Sequence, residues 1–322
     1  MKPFSPVGLI GLAPMAGAGD SGFRRICREC GADYTVSEMI SAKAIQFGSA
    51  KTVLLAKYTK DEMPLLIQLF GRDPEAMEYA SKYITDHFFP AGIDINMGCP
   101  APKIFNNGDG SALLKDPALA SKLILAVKNG TSLPVSVKMR IGIDSPCDSA
   151  IEFAKMVEDS GADFLTVHGR TREQFYSGRV DYGFIQRIKA SLNIPVIANG
   201  DITDGPSAKL ALDSTSADGI SLARGALGNP NVFSSIKAYL DNGTIFGDPL
   251  EQRFDLCIKQ LEYTIEDKGE EHACVEFRKH LLWYLKGVSG AGAYKLVASR
   301  ITNKEECIQL LEKILKEKSA FE

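Results

Sequence analysis

The stretch Gly161-Ala162-Asp163-Phe164-Leu165-Thr166-Val167-His168-Gly169-Arg170 decides the fold. A small-residue turn enters it, a continuous apolar and β-branched run follows, and polar side chains stand where the run stops. An apolar run without alternation reads as a strand covered on both faces, which is the habit of parallel sheets. Seven further runs repeat the design: Leu9–Ala13, Tyr34–Ser37, Pro64–Leu69, Gly92–Ile95, Pro134–Lys138, Pro195–Ala198 and Gly219–Ala223. Their starts advance by roughly 30 residues a step, the length of one strand-plus-helix unit. Helical stretches fill the gaps at Pro74–His87, Pro117–Lys128, Asp148–Ser160, Phe184–Ser191, Asp204–Leu212 and Val232–Leu240.

The entry signals alternate. Odd-numbered runs begin near Pro6, Pro64, Pro134 and Pro195. Even-numbered runs follow Gly31-Ala32-Asp33, Gly92, Gly161-Ala162-Asp163 and Ala217-Asp218-Gly219. Eight units with this rhythm predict an α/β fold, a (β/α)8 TIM barrel over residues 1–242. A doubly wound sheet is the rival. After a linker from Asp241 to Pro249 the strand pattern ends. Periodic apolar positions in Phe254–Ile265, Cys274–Tyr284, Tyr294–Ser299 and Cys307–Leu315 predict a C-terminal all-helical domain over 250–322.

The 322 residues are 45% hydrophobic and 24% charged, which fits a globular chain and excludes disorder. With 37 Lys/Arg against 40 Asp/Glu there is no global basic field. Seven scattered cysteines suit a reducing cytoplasm better than a disulfide framework. Met1-Lys2, apolar Val7–Ala13 and Ala16-Gly17-Ala18 imitate a signal peptide, but Pro3, Pro6 and Pro14 crowd too short an apolar run. No run reaches the roughly 18 apolar residues of a membrane span. The expected location is the cytoplasm, with no membrane association.

A barrel places its chemistry at the carboxyl ends of the strands. Those ends read Pro14-Met15, Glu38, Gln68, Asn96-Met97-Gly98-Cys99-Pro100, Lys138-Met139-Arg140, His168-Gly169-Arg170, Asn199-Gly200-Asp201 and Arg224-Gly225. Asn199-Gly200-Asp201 and Ala223-Arg224-Gly225 follow the last two strands, the usual phosphate-binding place, and predict a phosphorylated cofactor or substrate. Lys138 has three readings: a Schiff-base amine, a salt-bridge partner, or a fixed positive charge beside an anionic flavin ring. His168 is a donor to the same ring or a satisfied core histidine. Cys99, with an ordinary pKa near 8.5, is a small buried hydrophobe or a proton donor. Cys27-x-x-Cys30 reads as two faces of a helix, with no metal. Gly17-Ala18-Gly19-Asp20-Ser21-Gly22 imitates a dinucleotide fingerprint, but Pro14-Met15-Ala16 separates it from its strand.

Asp94-Ile95-Asn96-Met97-Gly98-Cys99-Pro100, followed by Gly110-Ser111-Ala112-Leu113-Leu114, resembles the signature of the tRNA-dihydrouridine synthases. Ala13–Gly17, Ser37–Met39, Lys138 with Arg140, Thr166–Arg172, Ile197–Ile202 and Arg278–Leu285 extend the resemblance along the chain, which is most similar to the bacterial B-type branch. The resemblance implies FMN-dependent reduction of a tRNA uridine to 5,6-dihydrouridine, with NADPH as reductant, tRNA as partner and no obligate protein partner. It implies that Pro14, Met15 and Ala16 back the flavin, Gln68 bonds its ring, and Lys138 and His168 hold its polar edge. Asn199, Gly200, Asp201, Ala223 and Arg224 then take the phosphate end, and Cys99 is the catalytic proton donor. Asn96, Arg170, Arg172 and Lys279 are implied on the uridine or its backbone, with Lys103, Arg179, Arg278 and Lys286 as further RNA contacts.

Residues 251–322 carry 12 Lys/Arg against 13 Asp/Glu, so an RNA grip there rests on arrangement, not excess charge. Ala223 stands where the family usually has Gly, Asn231 where an aromatic is common, and Asp109 where a small residue is common. The last is expected to place a charge near RNA. Two alternatives stand beside this reading: an FMN barrel acting on a free pyrimidine, similar to a dihydroorotate dehydrogenase, and a non-catalytic RNA-binding module.

Overall fold

The computed structural model describes residues 4–319. Met1, Lys2 and Pro3 of the leader-like stretch, and residues 320–322 of the helical region, lie outside it. Nine strands form one sheet: β1 (Ile10–Leu12), β2 (Tyr34–Val36), β3 (Ile40–Ser41), β4 (Leu65–Phe70), β5 (Gly92–Met97), β6 (Val135–Arg140), β7 (Phe164–His168), β8 (Val196–Asn199) and β9 (Gly219–Leu222). All pair in parallel. β1 bonds both β2 and β9, and β2 bonds β4, so eight strands close into a barrel. The expected doubly wound rival is excluded by that closure. β3, which the sequence reading did not anticipate, is a two-residue addition along the upper end of β4.

The alternating entry signals have a hydrogen-bond cause. Asp33, Asp163 and Asp218, each just before an even-numbered run, reach back across the barrel floor to the strand formed by the preceding odd-numbered run. Their carboxylates accept from the first N–H of β1, β6 and β8: Ile10 at 2.8 Å, Val135 at 2.7 Å and Val196 at 2.7 Å. Their own N–H groups donate to the carbonyls of the same three residues. Each pair of bonds satisfies a strand end that otherwise lacks a partner, and it fixes register. The outer helices start on aspartate caps for the same reason. Asp73, Asp116, Asp181 and Asp204 accept from N–H groups of the first turn.

Four helices follow the linker: Leu250–Lys268, Glu270–Tyr284, Ala291–Ala298 and Lys304–Ser319. They share a core of their own built on Phe254, Phe277, Leu281, Tyr284 and Leu311. Helix Leu250–Lys268 docks on barrel helix Ser21–Glu29, where Gly22 lets the backbones approach at Thr264 and Gln260. Arg25 lies 3.8 Å over the Tyr263 ring and 2.6 Å from Glu266, and Lys268 pairs with Asp20 at 3.1 Å. Cys27 and Cys30 are both buried in the barrel core. They share one side of their helix, not two faces, because residues three apart are neighbours on a helical surface.

Candidate active site

A cavity of about 700 Å³ opens at the carboxyl ends of the strands and reaches Lys279, Trp283 and Lys286 of the helical region. That size suits a cofactor or drug-sized ligand. Strand register brings its polar groups together: Asn96 lies opposite Lys138, Arg140 opposite His168, His168 opposite Asn199, and Asn199 opposite Ser221. Pro14, Met15 and Ala16 form an apolar wall.

The Lys138 ammonium makes no hydrogen bond or ion pair with any described residue, and the side chain lines the cavity. Burial, then the nearby Arg140, pushes its ammonium down to about 8, against the pull of Asp94. His168 is driven far below its ordinary value by burial and by Lys138, Arg140, Arg170 and Arg224, so it is neutral at any working pH. A neutral imidazole beside an unpaired ammonium offers one hydrogen-bonding group and one charge to a polar ring edge. The peptide N–H groups of Gly200, Asp201 and Ala223 have no acceptor among the described residues. Gly200 holds φ +121°, and a Cβ there would sit 2.6 Å from Val180 Cγ2 and 2.9 Å from His168 Cδ2. Arg224 is half exposed and lies 4.5 Å over the Tyr176 ring. This donor set fits an anion at the end of the cavity next to β8 and β9.

Cys99 lies on a turn held from several sides. Asn96 Oδ1 accepts from the N–H of Gly98 at 3.2 Å and of Cys99 at 2.9 Å. Ser111 Oγ donates to the Cys99 carbonyl at 2.8 Å, and Gly110, at φ +60°, packs directly on the Cys99 side chain. Arg140, almost fully buried, donates to the carbonyls of Gly98, Thr171 and Phe175 and so stitches this turn to the loop after β7. Burial raises the Cys99 thiol above its ordinary value, opposed by the Ala101 N–H, Arg140 and Lys138. It is a protonated thiol at neutral pH.

Other expected residues are engaged within the chain. Gln68 uses its amide on Asp94 and Asn96. Asn199 Nδ2 donates to the Ser221 carbonyl. Arg170 is 2% exposed, and its guanidinium bonds both carboxylate oxygens of Asp201 at 2.7 Å and the carbonyls of Ser177 and Gly178. Here Arg170 shapes the loop, and Asp201 offers the cavity its backbone. Arg172 stacks 4.2 Å over Phe105, outside the cavity lining. Arg278 is bound to the Ile301 carbonyl, whereas Lys279 faces the cavity. Asp109 corrects an expectation: it is buried beside the Cys99 turn, so its carboxyl is withdrawn from the surface, and burial raises its pKa against the pull of Arg72.

Sequence reasoning missed Ser221, whose buried hydroxyl has no partner among the described residues and lines the cavity, and the aromatics Phe175, Tyr176 and Trp283. The pair Phe175-Tyr176 in a loop after a strand end was the available signal.

The family model for dihydrouridine synthase matches residues 11–319. The chain belongs to that family. Among curated relatives, a probable tRNA-dihydrouridine synthase of Rickettsia bellii is 38% identical over 94% of this chain and 95% of its own. A tRNA-dihydrouridine synthase B of Pasteurella multocida is 37% identical over 94% and 91%. Among solved structures, a 2-naphthoyl-CoA reductase aligns at TM-score 0.57 and 11% identity over 74% of this chain and 52% of its own, a likeness of fold. Membership places this chain among oxidoreductases. Among the described residues no helix is long and apolar enough to cross a membrane, and no cluster of metal-ligating side chains occurs.

Proposed function

We propose that this chain reduces a uridine of tRNA to 5,6-dihydrouridine, with FMN held in the cavity and NADPH as the electron source. The observation that carries the reading is one cavity that joins an unpaired lysine, a neutral histidine and free backbone donors to a turn-mounted, protonated cysteine. Lys138 and His168 would face the polar edge of the flavin, with Pro14–Ala16 behind it. The backbone of Gly200, Asp201 and Ala223, with Arg224, would take its phosphate, and Ser221 is a further donor. A bound flavin supplies the hydride equivalent that no amino-acid side chain can.

Cys99 Sγ delivers a proton to C5 of the uracil ring as C6 gains hydride, which balances the addition of two hydrogens across the C5=C6 bond. The thiolate left behind is stabilised by Arg140 and Lys138 until solvent reprotonates it. Asn96 positions the Cys99 turn.

A base stacked in folded RNA must be extruded to reach this depth, at a cost of a few kcal/mol. Lys279, Trp283 and Lys286 put charge and an aromatic face at the rim, where RNA contacts offset that cost. We therefore read residues 1–242 as the FMN-binding catalytic unit and 250–322 as the tRNA-binding unit.

Cys99→Ala tests the assignment. The variant should keep its flavin and its reduction by NADPH while dihydrouridine formation on tRNA falls about a hundredfold, within the usual range for a positioned acid. Full activity on free uridine would favour the free-pyrimidine alternative. Unchanged product formation in the variant would remove Cys99 from the chemistry.

A further inference from the structure

The inner face of the barrel carries a row of polar side chains that runs from the Cys99 turn down to Asp94, which the reaction described above leaves without a task. Gln68 on β4 lies opposite Asp94 on β5, and Asp94 and Asn96 are two apart on β5, so all three point into the bore. Asp94 is 3% exposed, and its carboxylate accepts from Gln68 Nε2 at 2.6 Å and from Ser136 Oγ. The other end of the Gln68 amide, Oε1, accepts from Asn96 Nδ2 at 2.8 Å. Asn96 Oδ1 in turn accepts from the N–H groups of Gly98 and Cys99.

An ionised carboxylate only accepts, and a peptide N–H only donates. With these at the two ends, both intervening amides have a single self-consistent orientation. Protonated, Asp94 could donate to Gln68 only if that amide turned, which sets Gln68 Nε2 against Asn96 Nδ2, donor against donor. Asn96 could then keep Gln68 only by turning away from the Gly98 and Cys99 N–H groups. We infer that Asp94 is a positioning residue for the reduction: through Gln68 and Asn96 it sets the direction of an amide relay that holds the Cys99 turn.

The relay deepens the proposed function and rests on it for its role in the reaction. The charged and titratable groups facing Asp94 are Lys138 on β6, which favours its ionised form, and Tyr34 on β2, whose phenol Asp94 helps keep neutral. Burial is the larger effect and lifts the Asp94 carboxyl to about 6.

The test uses the full flavin-free chain and NMR of its amides. The Gln68 and Asn96 side-chain amides and the Cys99 backbone amide are expected to shift together through one midpoint near pH 6. In the near-isosteric Asp94→Asn variant all three should be flat. A Cys99 amide that stays still while Gln68 moves, or one that titrates alike in Asp94→Asn, overturns the relay. With FMN at saturation, Asp94→Asn should slow dihydrouridine formation by on the order of tenfold, the worth of one charge-assisted bond. An unchanged rate overturns the role in the reaction. The NMR result needs neither flavin nor tRNA, so a missing relay with intact tRNA reduction leaves the proposed function standing. A co-titrating relay in a chain that never reduces tRNA does the reverse.

Discussion

Gly110→Ala probes the placement of Cys99 without touching the flavin cradle. A Cβ at this residue would lie 2.9 Å from Cys99 Cβ and 3.0 Å from both the Cys99 carbonyl oxygen and Ile104 Cγ2, where ordinary contact begins at 3.4 Å. Relief therefore needs a shift of roughly 0.5 Å, and two of these three atoms belong to Cys99, so the cysteine turn is what moves. The φ of +60° adds the strain of a left-handed alanine, about 1 kcal/mol. Together with overpacking, the variant should lose about 1–3 kcal/mol of stability. A displacement of about 1 Å costs on the order of a hundredfold in rate, so half of that predicts about tenfold. The assay is single-turnover dihydrouridine formation by reduced, FMN-loaded protein on unmodified tRNA, with flavin affinity measured separately. FMN binding should stay within about twofold of the parent, because the cradle lies on other strands. A normal rate in a folded variant would refute the claim that this turn places the proton donor. Loss of flavin in that variant would show that Gly110 supports the cradle and not Cys99.

Two further outcomes follow from the cradle. Lys138 is charged below about 8 and loses its charge above it, so FMN affinity should weaken as pH rises through that value. In Lys138→Met, affinity should be lower throughout and that alkaline limb absent; a limb that survives in the variant assigns it to another group. Gly200→Ala forces a Cβ into Val180 and His168 at an unfavourable φ, and should reduce FMN affinity by tenfold or more while the chain still folds. Tight FMN binding by Gly200→Ala, measured by fluorescence quenching, would displace the phosphate site from that loop.

The barrel was legible because its punctuation is chemical. The Gly-Ala-Asp turns place aspartates that bond the neighbouring strand, and continuous apolar runs can be covered only by helices on the outside. The strand ends were legible because register converts their order in sequence into a ring of neighbours. The partnerships within the site were not. Arg170 reads as a free cation, and only the fold shows Asp201 and two carbonyls closing around it. Asp109 reads as a surface charge, and only the path of the loop buries it. Ser221 carries no local signal, since a serine in a buried strand usually finds a partner. β3 was too short to leave a pattern, and contacts from Trp283 depend on docking between segments distant in sequence.

The most direct measurement mixes reduced, FMN-loaded protein with an unmodified tRNA transcript in the absence of oxygen and NADPH, and follows the flavin's visible absorption alongside nucleoside mass spectrometry. The account predicts that the flavin is reoxidised in step with the appearance of dihydrouridine, one for each flavin. A protein that takes up no FMN, or whose reduced flavin is indifferent to tRNA, contradicts it.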